Sequence, residues 1–342
     1  MSSIEYVFSF TPGAGTGMEI YGGIYWLRLP LPFALDHINV WLLDNGESWT
    51  LIDTGPAVRD AREAWKGLFN SLVKDKPIKR LIVTHYHPDH IGLLKWLGEQ
   101  CEPEVYMSNP TYAHAQRMFT SDFSVHTPAL EKFCQAHDAP NPEFFTGFLS
   151  GGMYRRIVSG IIDNVTALDD DAEITMGGRR WRAIMSNGHA RGHISFYCEE
   201  SGLLISGDQV LPRITSNISL FEDDPDANPL EEYLLSLARI GKLPEDTHVL
   251  PSHGRIFRGL QHRIREIEDS HMDRNNKILS TCREPVSTRV LIDRIFEREL
   301  DDLNWMFAFG ETLAHIRYLE KQGRLRTVLN DGSYQYQSIR MD

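Results

Sequence analysis

Residues 84–92 read Thr-His-Tyr-His-Pro-Asp-His-Ile-Gly, which places His85, His87, Asp89 and His90 within six positions. Neutral imidazoles and a carboxylate suit zinc, and also iron or manganese. The segment follows the apolar run at 81–83, short enough to be a buried strand. Alternate residues leaving a strand end point the same way, so His85 and His87 can hold one metal while Asp89 and His90 turn towards a second. A lone His-x-His pair is as easily a surface loop of no consequence. Three histidines and an aspartate at a strand end, closed by Gly92, read as a ligand loop.

Such a loop needs strands to hold it, and the flanking sequence predicts them. Residues 24–29, 37–43 and 49–52 are rich in β-branched and aromatic residues and bounded by Pro, Asn and Gly. A helix is expected at about 57–73, another at 91–97, a strand at 105–107 and a helix at 110–119. Glu173 to Met185 reads as a hairpin across Gly177-Gly178. Strands are then expected at 193–197, at 203–205 running into Ser-Gly-Asp208, and at 247–250 running into Pro-Ser-His253-Gly. Residues 118–162 are rich in aromatics, including Phe123, Phe133, Phe144, Phe145, Phe148 and Tyr154. They read either as core or as a lid over a substrate pocket, and their length between two ligand motifs favours the lid.

The motif at 84–92 resembles the metallo-β-lactamase superfamily, and four more motifs follow that family's order. Leu-Ile-Asp-Thr-Gly supplies Asp53, Ser-Asn-Gly-His supplies His189, Ser-Gly-Asp supplies Asp208 and Pro-Ser-His-Gly supplies His253. The third motif often begins Pro-Gly-His; here it begins Asn187-Gly188-His189, which reads as a change of turn chemistry. The resemblance implies a four-layer αββα sandwich of α/β (α+β) class, with metals at one edge of two packed mixed sheets. It implies that His85, His87 and His189 hold a first ion, that Asp89, His90 and His253 hold a second, and that Asp208 bridges them. Asp53 would fix the ligand loop by hydrogen bonds, and His193 would be structural or support the ligands from behind. Two divalent ions, Zn2+ foremost with Fe or Mn as alternatives, could share a bridging hydroxide that attacks an electrophilic carbonyl or phosphorus. Asp89 could accept or relay a proton in that reaction.

Beyond Gly254 the pattern turns helical over 259–322, with amphipathic segments at 287–298 and 304–321, and then a hairpin about Asn330-Asp331-Gly332. Helix, helix and a two-stranded wing suggest a small winged-helix-like domain at 259–342 behind a catalytic domain at 1–258. That tail is similar to one carried by a branch of these hydrolases that includes endoribonucleases, carrier-protein thioesterases and glyoxalase II-like proteins.

The net charge of −12 disfavours indiscriminate nucleic-acid binding. Residues 255–342 nearly balance, with 15 Lys+Arg against 14 Asp+Glu, so the tail is not a basic arm. The four cysteines show no paired spacing, no apolar run suits a membrane span, and no leader pattern opens the chain, which predicts a cytoplasmic protein. Gly13, Gly15 and Gly17 do not lie between a strand and a helix, so a phosphate loop is not expected. His37, His114, His126, His137, His248, His262, His271 and His315 read as surface or satisfied histidines.

The leading expectation is hydrolysis of a small-molecule thioester, ester or lactone by a binuclear centre, in a chain that could form a homodimer. A metal-dependent nuclease competes, favoured by the tail and by Arg255, Arg258, Arg263 and Arg265, and opposed by the interleaved Glu266, Glu268 and Asp269. A mononuclear iron persulfide dioxygenase, a true β-lactamase and a binding module with a vestigial site are the remaining readings. No ligand position is missing, which opposes the last.

Overall fold

Along the strand His37–Asp44, Ile38, Val40 and Leu42 bury themselves on one side while Trp41 and Leu43 bury themselves on the other. Side chains of a strand alternate between faces, so a strand apolar on both faces must lie in a covered sheet. The computed structural model, which describes residues 3–32, 35–120, 128–139, 152–221, 224–297 and 299–339, shows two such sheets. Each has seven strands. The first runs in space from Gly17–Glu19 through Ile24–Pro30, His37–Asp44, Trp49–Ile52, Ile78–Ile82 and Glu104–Met107 to Val165–Ala167. Its first four strands are antiparallel neighbours and its later ones pair in parallel, joined by helices. The second runs from Glu5–Tyr6 through Phe257–Arg258, His248–Pro251, Leu203–Gly207, His193–Cys198 and Arg179–Ser186 to Glu173–Met176.

The two sheets pack face to face over Trp26, Trp41, Trp181, Phe196, Ile205 and Leu250. Trp26 and Trp41 stack with centroids 6.2 Å apart, and the Trp26 indole donates to Asn39 Oδ1 at 2.7 Å, which lets so large a ring sit fully buried. Helices Arg59–Phe69, Leu94–Cys101 and Asn109–Thr120 cover the outer face of the first sheet. Helices Pro229–Ile240 and Leu260–Thr281 cover the outer face of the second. This is the αββα sandwich the motifs imply.

The C-terminal helical domain packs into that last layer. Thr288–Ile295 and Asp302–Lys321 lie against a three-stranded sheet ordered Val286–Ser287, Ser333–Ser338, Leu325–Asn330. The last two strands form the expected hairpin, turning through Asp331 and Gly332, both at positive φ as a right-twisted two-residue turn requires. Asp301 caps the helix Asp302–Lys321 by accepting from Asn304 N at 2.8 Å.

Three expectations shift. The helix expected at 57–73 spans Arg59–Phe69. The one expected at 91–97 is two pieces, Pro88–Ile91 and Leu94–Cys101, because the Leu93 amide leaves the helical ladder to donate to Gly55 O at 2.9 Å and Thr54 Oγ1 at 3.1 Å. In the aromatic stretch, Phe133 is buried beside Phe309 of the C-terminal domain, with ring centroids 6.1 Å apart, so that ring is core and not lid. Tyr154 is also buried, and its hydroxyl donates to the Tyr86 carbonyl at 2.8 Å, bracing the ligand loop from behind. Phe123, Phe144, Phe145, Phe148 and His126 lie outside the described residues. Among the described residues no helix is long and apolar enough to cross a membrane.

Candidate metal centre

All the expected ligand positions leave strand ends at the same edge of the sandwich. Asp53 follows Trp49–Ile52, the 85–90 loop follows Ile78–Ile82, His189 follows Arg179–Ser186, Asp208 follows Leu203–Gly207 and His253 follows His248–Pro251. Small residues make the approach possible. A Cβ on Gly207, at φ +54°, would meet the His193 ring at 2.4 Å, and one on Gly188, at φ +97°, would meet Tyr233 Cβ at 2.4 Å. Asn187 closes the His189 turn by itself, its Oδ1 accepting from Gly192 N at 2.9 Å, which is what replaces a proline there.

Three ring nitrogens converge: His85 Nε2 is 3.0 Å from His87 Nδ1 and 3.2 Å from His189 Nε2. Beside them His253 Nε2 lies 3.3 Å from Asp89 Oδ2, and His90 Nε2 lies 3.6 Å from the same oxygen. Asp208 stands between the groups, with Oδ2 3.5 Å from both His189 Nε2 and His90 Nε2 and Oδ1 3.5 Å from His253 Nε2. The structure thus brings together His85, His87, Asp89, His90, His189, Asp208 and His253, with possible ligand atoms inside each subset within 4.8 Å of one another.

The far side of each ring decides which nitrogen faces inward. His189 Nδ1 donates to Asn217 O and His253 Nδ1 to His37 O, both at 2.8 Å, so Nε2 is the atom each ring turns to the centre. His90 Nδ1 meets Asp53 Oδ2 at 2.8 Å. Asp53 also accepts from the Thr84 amide at 2.8 Å and from its hydroxyl, and it holds a left-handed backbone at φ +62°. That strain is kept at the point where one carboxylate orients both the loop and the His90 ring. His193 lies behind, its Nε2 accepting from Asp208 N at 3.1 Å.

Electrostatics agree with a cation. Burial, reinforced by the neighbouring His90 and His87, holds His85 well below the ordinary histidine range, and burial does the same for His87, so both stay neutral with lone pairs available. Burial also opposes charge on His90 and His253, yet the carboxylates override it: Asp208 and Asp89 raise His90 well above the usual range and His253 to about 10. Despite a burial penalty, the imidazoles drive Asp89 down to about 2. The buried carboxylate of Asp208 and the half-buried one of Asp89 therefore require positive charge beside them, and His90 Nε2 and Asp208 Oδ1 are buried atoms without a hydrogen bond. Nitrogens 3.0–3.2 Å apart match adjacent ligands of one ion, for which a metal–nitrogen length of about 2.05 Å and a tetrahedral angle give about 3.3 Å. The donor set fits divalent metal.

Sequence reasoning missed the supports. His37 reads in sequence as a surface or satisfied histidine, yet its carbonyl accepts from His253 and its Nε2 accepts from Gly254 N at 2.9 Å. Thr84 and Asn217 carry no signal in sequence, since each acts on a partner distant in the chain, Thr84 on Asp53 and Asn217 on His189.

Comparison with known proteins agrees with this geometry. Residues 34–253 match the metallo-beta-lactamase superfamily, and residues 276–339 match its metallo-beta-lactamase-like C-terminal domain. The chain is 28% identical over 309 residues to the probable metallo-hydrolase YqjP of Bacillus subtilis (strain 168), covering 86% of this chain and 92% of that one. It is 24% identical over 252 residues to an atrochrysone carboxyl ACP thioesterase of Aspergillus fumigatus, covering 73% of this chain and 61% of the other. A solved beta-lactamase domain protein from Burkholderia ambifaria superposes with a TM-score of 0.88 at 34% identity, covering 98% of this chain and 97% of that one. Strand-end histidines and aspartates converging on one edge of an αββα sandwich, with the family match over most of the chain, make this protein a metal-dependent hydrolase of the metallo-beta-lactamase superfamily.

Proposed function

We propose that the centre takes two divalent ions, zinc by preference, and hydrolyses a small-molecule thioester, ester or lactone. The observation that carries the binuclear reading is the place of Asp208, whose two oxygens lie 3.5 Å from histidines of both groups. In this reading His85, His87 and His189 hold one ion, Asp89, His90 and His253 hold the other, and Asp208 serves both. When bound, such ions polarise a carbonyl oxygen and lower the pKa of water towards neutrality.

The chain's own residues do the rest. Asp53 and the carbonyls of Asn217 and His37 lock the rings before substrate arrives, so little reorganisation is left for the reaction. Asp89, partly exposed and kept ionised, is the carboxylate nearest solvent and can receive a proton from the attacking water. Tyr86, stacked on His114 with centroids 3.8 Å apart and 5.0 Å from the His87 ring, gives the mouth an apolar wall suited to an acyl or aryl group. The likeness to a carrier-protein thioesterase supports an acyl thioester among the three substrate classes.

Elemental analysis of the purified chain, with hydrolysis measured against acyl-CoA thioesters, aryl esters, lactones and RNA, tests this. Two zinc or manganese ions per chain with turnover of an acyl compound are expected. One iron per chain with oxygen uptake and no hydrolysis would sink the reading, and cleavage of RNA alone would replace its substrate class.

A further inference from the structure

A second histidine cluster lies in the C-terminal domain, outside the site described above. His271 on the helix Leu260–Thr281 and His315 on the helix Asp302–Lys321 are each 1% exposed. Glu311, one turn before His315, is 8% exposed, and one atom from each of the three residues lies within 4.8 Å of the others. His271 Nδ1 faces His315 Nε2 at 3.2 Å, the spacing already seen between the ring nitrogens of the strand-end cluster. On its far side His315 Nδ1 meets Asn275 Oδ1 at 2.8 Å; the amide oxygen only accepts, so Nδ1 carries the proton and Nε2 presents a lone pair inward. That is the arrangement by which a metal-binding imidazole is oriented from behind.

A purely structural hydrogen-bond chain would place the shared proton on His271 Nδ1 and leave Nε2 a buried acceptor, whereas an ion on Nδ1 makes the same Nε2 a buried donor; it has no partner either way, so the convergence of Nδ1, His315 Nε2 and Glu311 carries the site. Against a cation stands Arg274, whose guanidinium pairs with Glu311 Oε1. Its side chain is 21% exposed, so it has a route to solvent and can give way.

We infer that His271, Glu311 and His315 form a third metal site, taking a divalent transition ion of the zinc class in competition with Arg274. Two imidazoles and one carboxylate with a fourth position open match the borderline-soft ions. The site cross-braces the two long C-terminal helices. It also touches the catalytic domain: Tyr233, whose ring lies 5.7 Å from that of His271, donates its hydroxyl to Gln209 O beside Asp208.

The test uses the full chain with the strand-end cluster disabled by H85A, H87A and H253A, so that its outcome is independent of how many ions that cluster takes. After chelator treatment, cobalt(II) and zinc are titrated in by visible absorption and equilibrium dialysis. One equivalent is expected to bind, to be lost on further H271A or E311Q substitution, and to tighten about tenfold with R274Q, because the competing cation is gone. No binding to a chain that keeps its native circular dichroism would overturn the site, as would an R274Q variant that binds more weakly. Should the triple variant not fold, wild-type crystals soaked in zinc decide: an anomalous peak between His271 and His315 supports the site, and its absence overturns it.

Discussion

Among the described residues two histidine clusters lie in the interior, and they are built on opposite principles. The strand-end cluster gathers its rings from loops that have left the sheets, with His189, His253 and His90 oriented by a carbonyl or by Asp53 from a different element. The C-terminal cluster sits on two continuous helices, with His271 and Asn275 at i and i+4 on one, and Glu311 and His315 at i and i+4 on the other. Charge separates them further. Asp89 and Asp208 outweigh their surroundings and force His90 and His253 towards protonation, whereas Glu311 is already matched by Arg274. In the C-terminal pair burial holds His271 down to about 3 and His315 well below the ordinary range. Loops at a sheet edge can be re-aimed without disturbing the core, which is why reactive groups collect there, while rings between packed helices are part of the core itself.

Exchanging injuries between the clusters gives the sharpest separation. H87A should lower kcat/KM on the best acyl substrate by more than about a hundredfold, since even residues supporting ligands cost 10–100-fold, and it should leave the C-terminal domain folded. The assay is steady-state hydrolysis with circular dichroism as control, and a loss below tenfold would remove His87 from the centre. H315A should do the reverse. Cutting this buried ring and orphaning Asn275 should cost about 2–4 kcal/mol in urea unfolding of the chain, while kcat stays within about threefold. A stability loss under 1 kcal/mol would mean that the helices do not depend on this cluster.

Asp53 probes the supports of the strand-end centre. D53N keeps the shape but loses the charge that orients His90 and takes two bonds from Thr84, so metal affinity or activity should fall about 10–100-fold. Metal retention in chelator-competition dialysis reads this directly.

Acid probes the C-terminal cluster through His271. His271 has a folded pKa depressed to about 3, so its neutral form is the stable one. A depressed folded pKa means that stability is complete above the unfolded value of about 6.5 and falls as pH drops from there towards 3. Thermal unfolding of the metal-free chain should therefore weaken steadily below pH 6.5, and H271Q should flatten that slope. The smallest effect is expected for Y233F, which removes one hydrogen bond to Gln209 O and should cost about 1 kcal/mol of stability.

What could be read from the residue order is what depends on neighbours in the chain. His85, His87, Asp89 and His90 announce a ligand loop because they share six positions at a strand end, and His189, Asp208 and His253 are legible because each has its own strand and turn glycine. The hairpin at Asp331-Gly332 is legible for the same reason, since a two-residue turn is a local event. Helix ends were less so: Leu93 breaks its helix to reach Gly55 and Thr54, and no local propensity encodes a partner nearly forty positions away. His271 and His315 read as ordinary histidines in sequence because 44 positions part them, and only the packing of two helices sets their nitrogens 3.2 Å apart. His37 belongs with them, since its carbonyl orients His253 from 216 positions away. By itself the sequence determined the run of strands and helices, through periodicity and turn residues, and the fold class through its resemblance to a known family. Which nitrogen of each ring faces inward, which carboxylate stands between the two groups and which distant histidines meet were decided by tertiary structure, because a tautomer follows from whatever the opposite nitrogen touches.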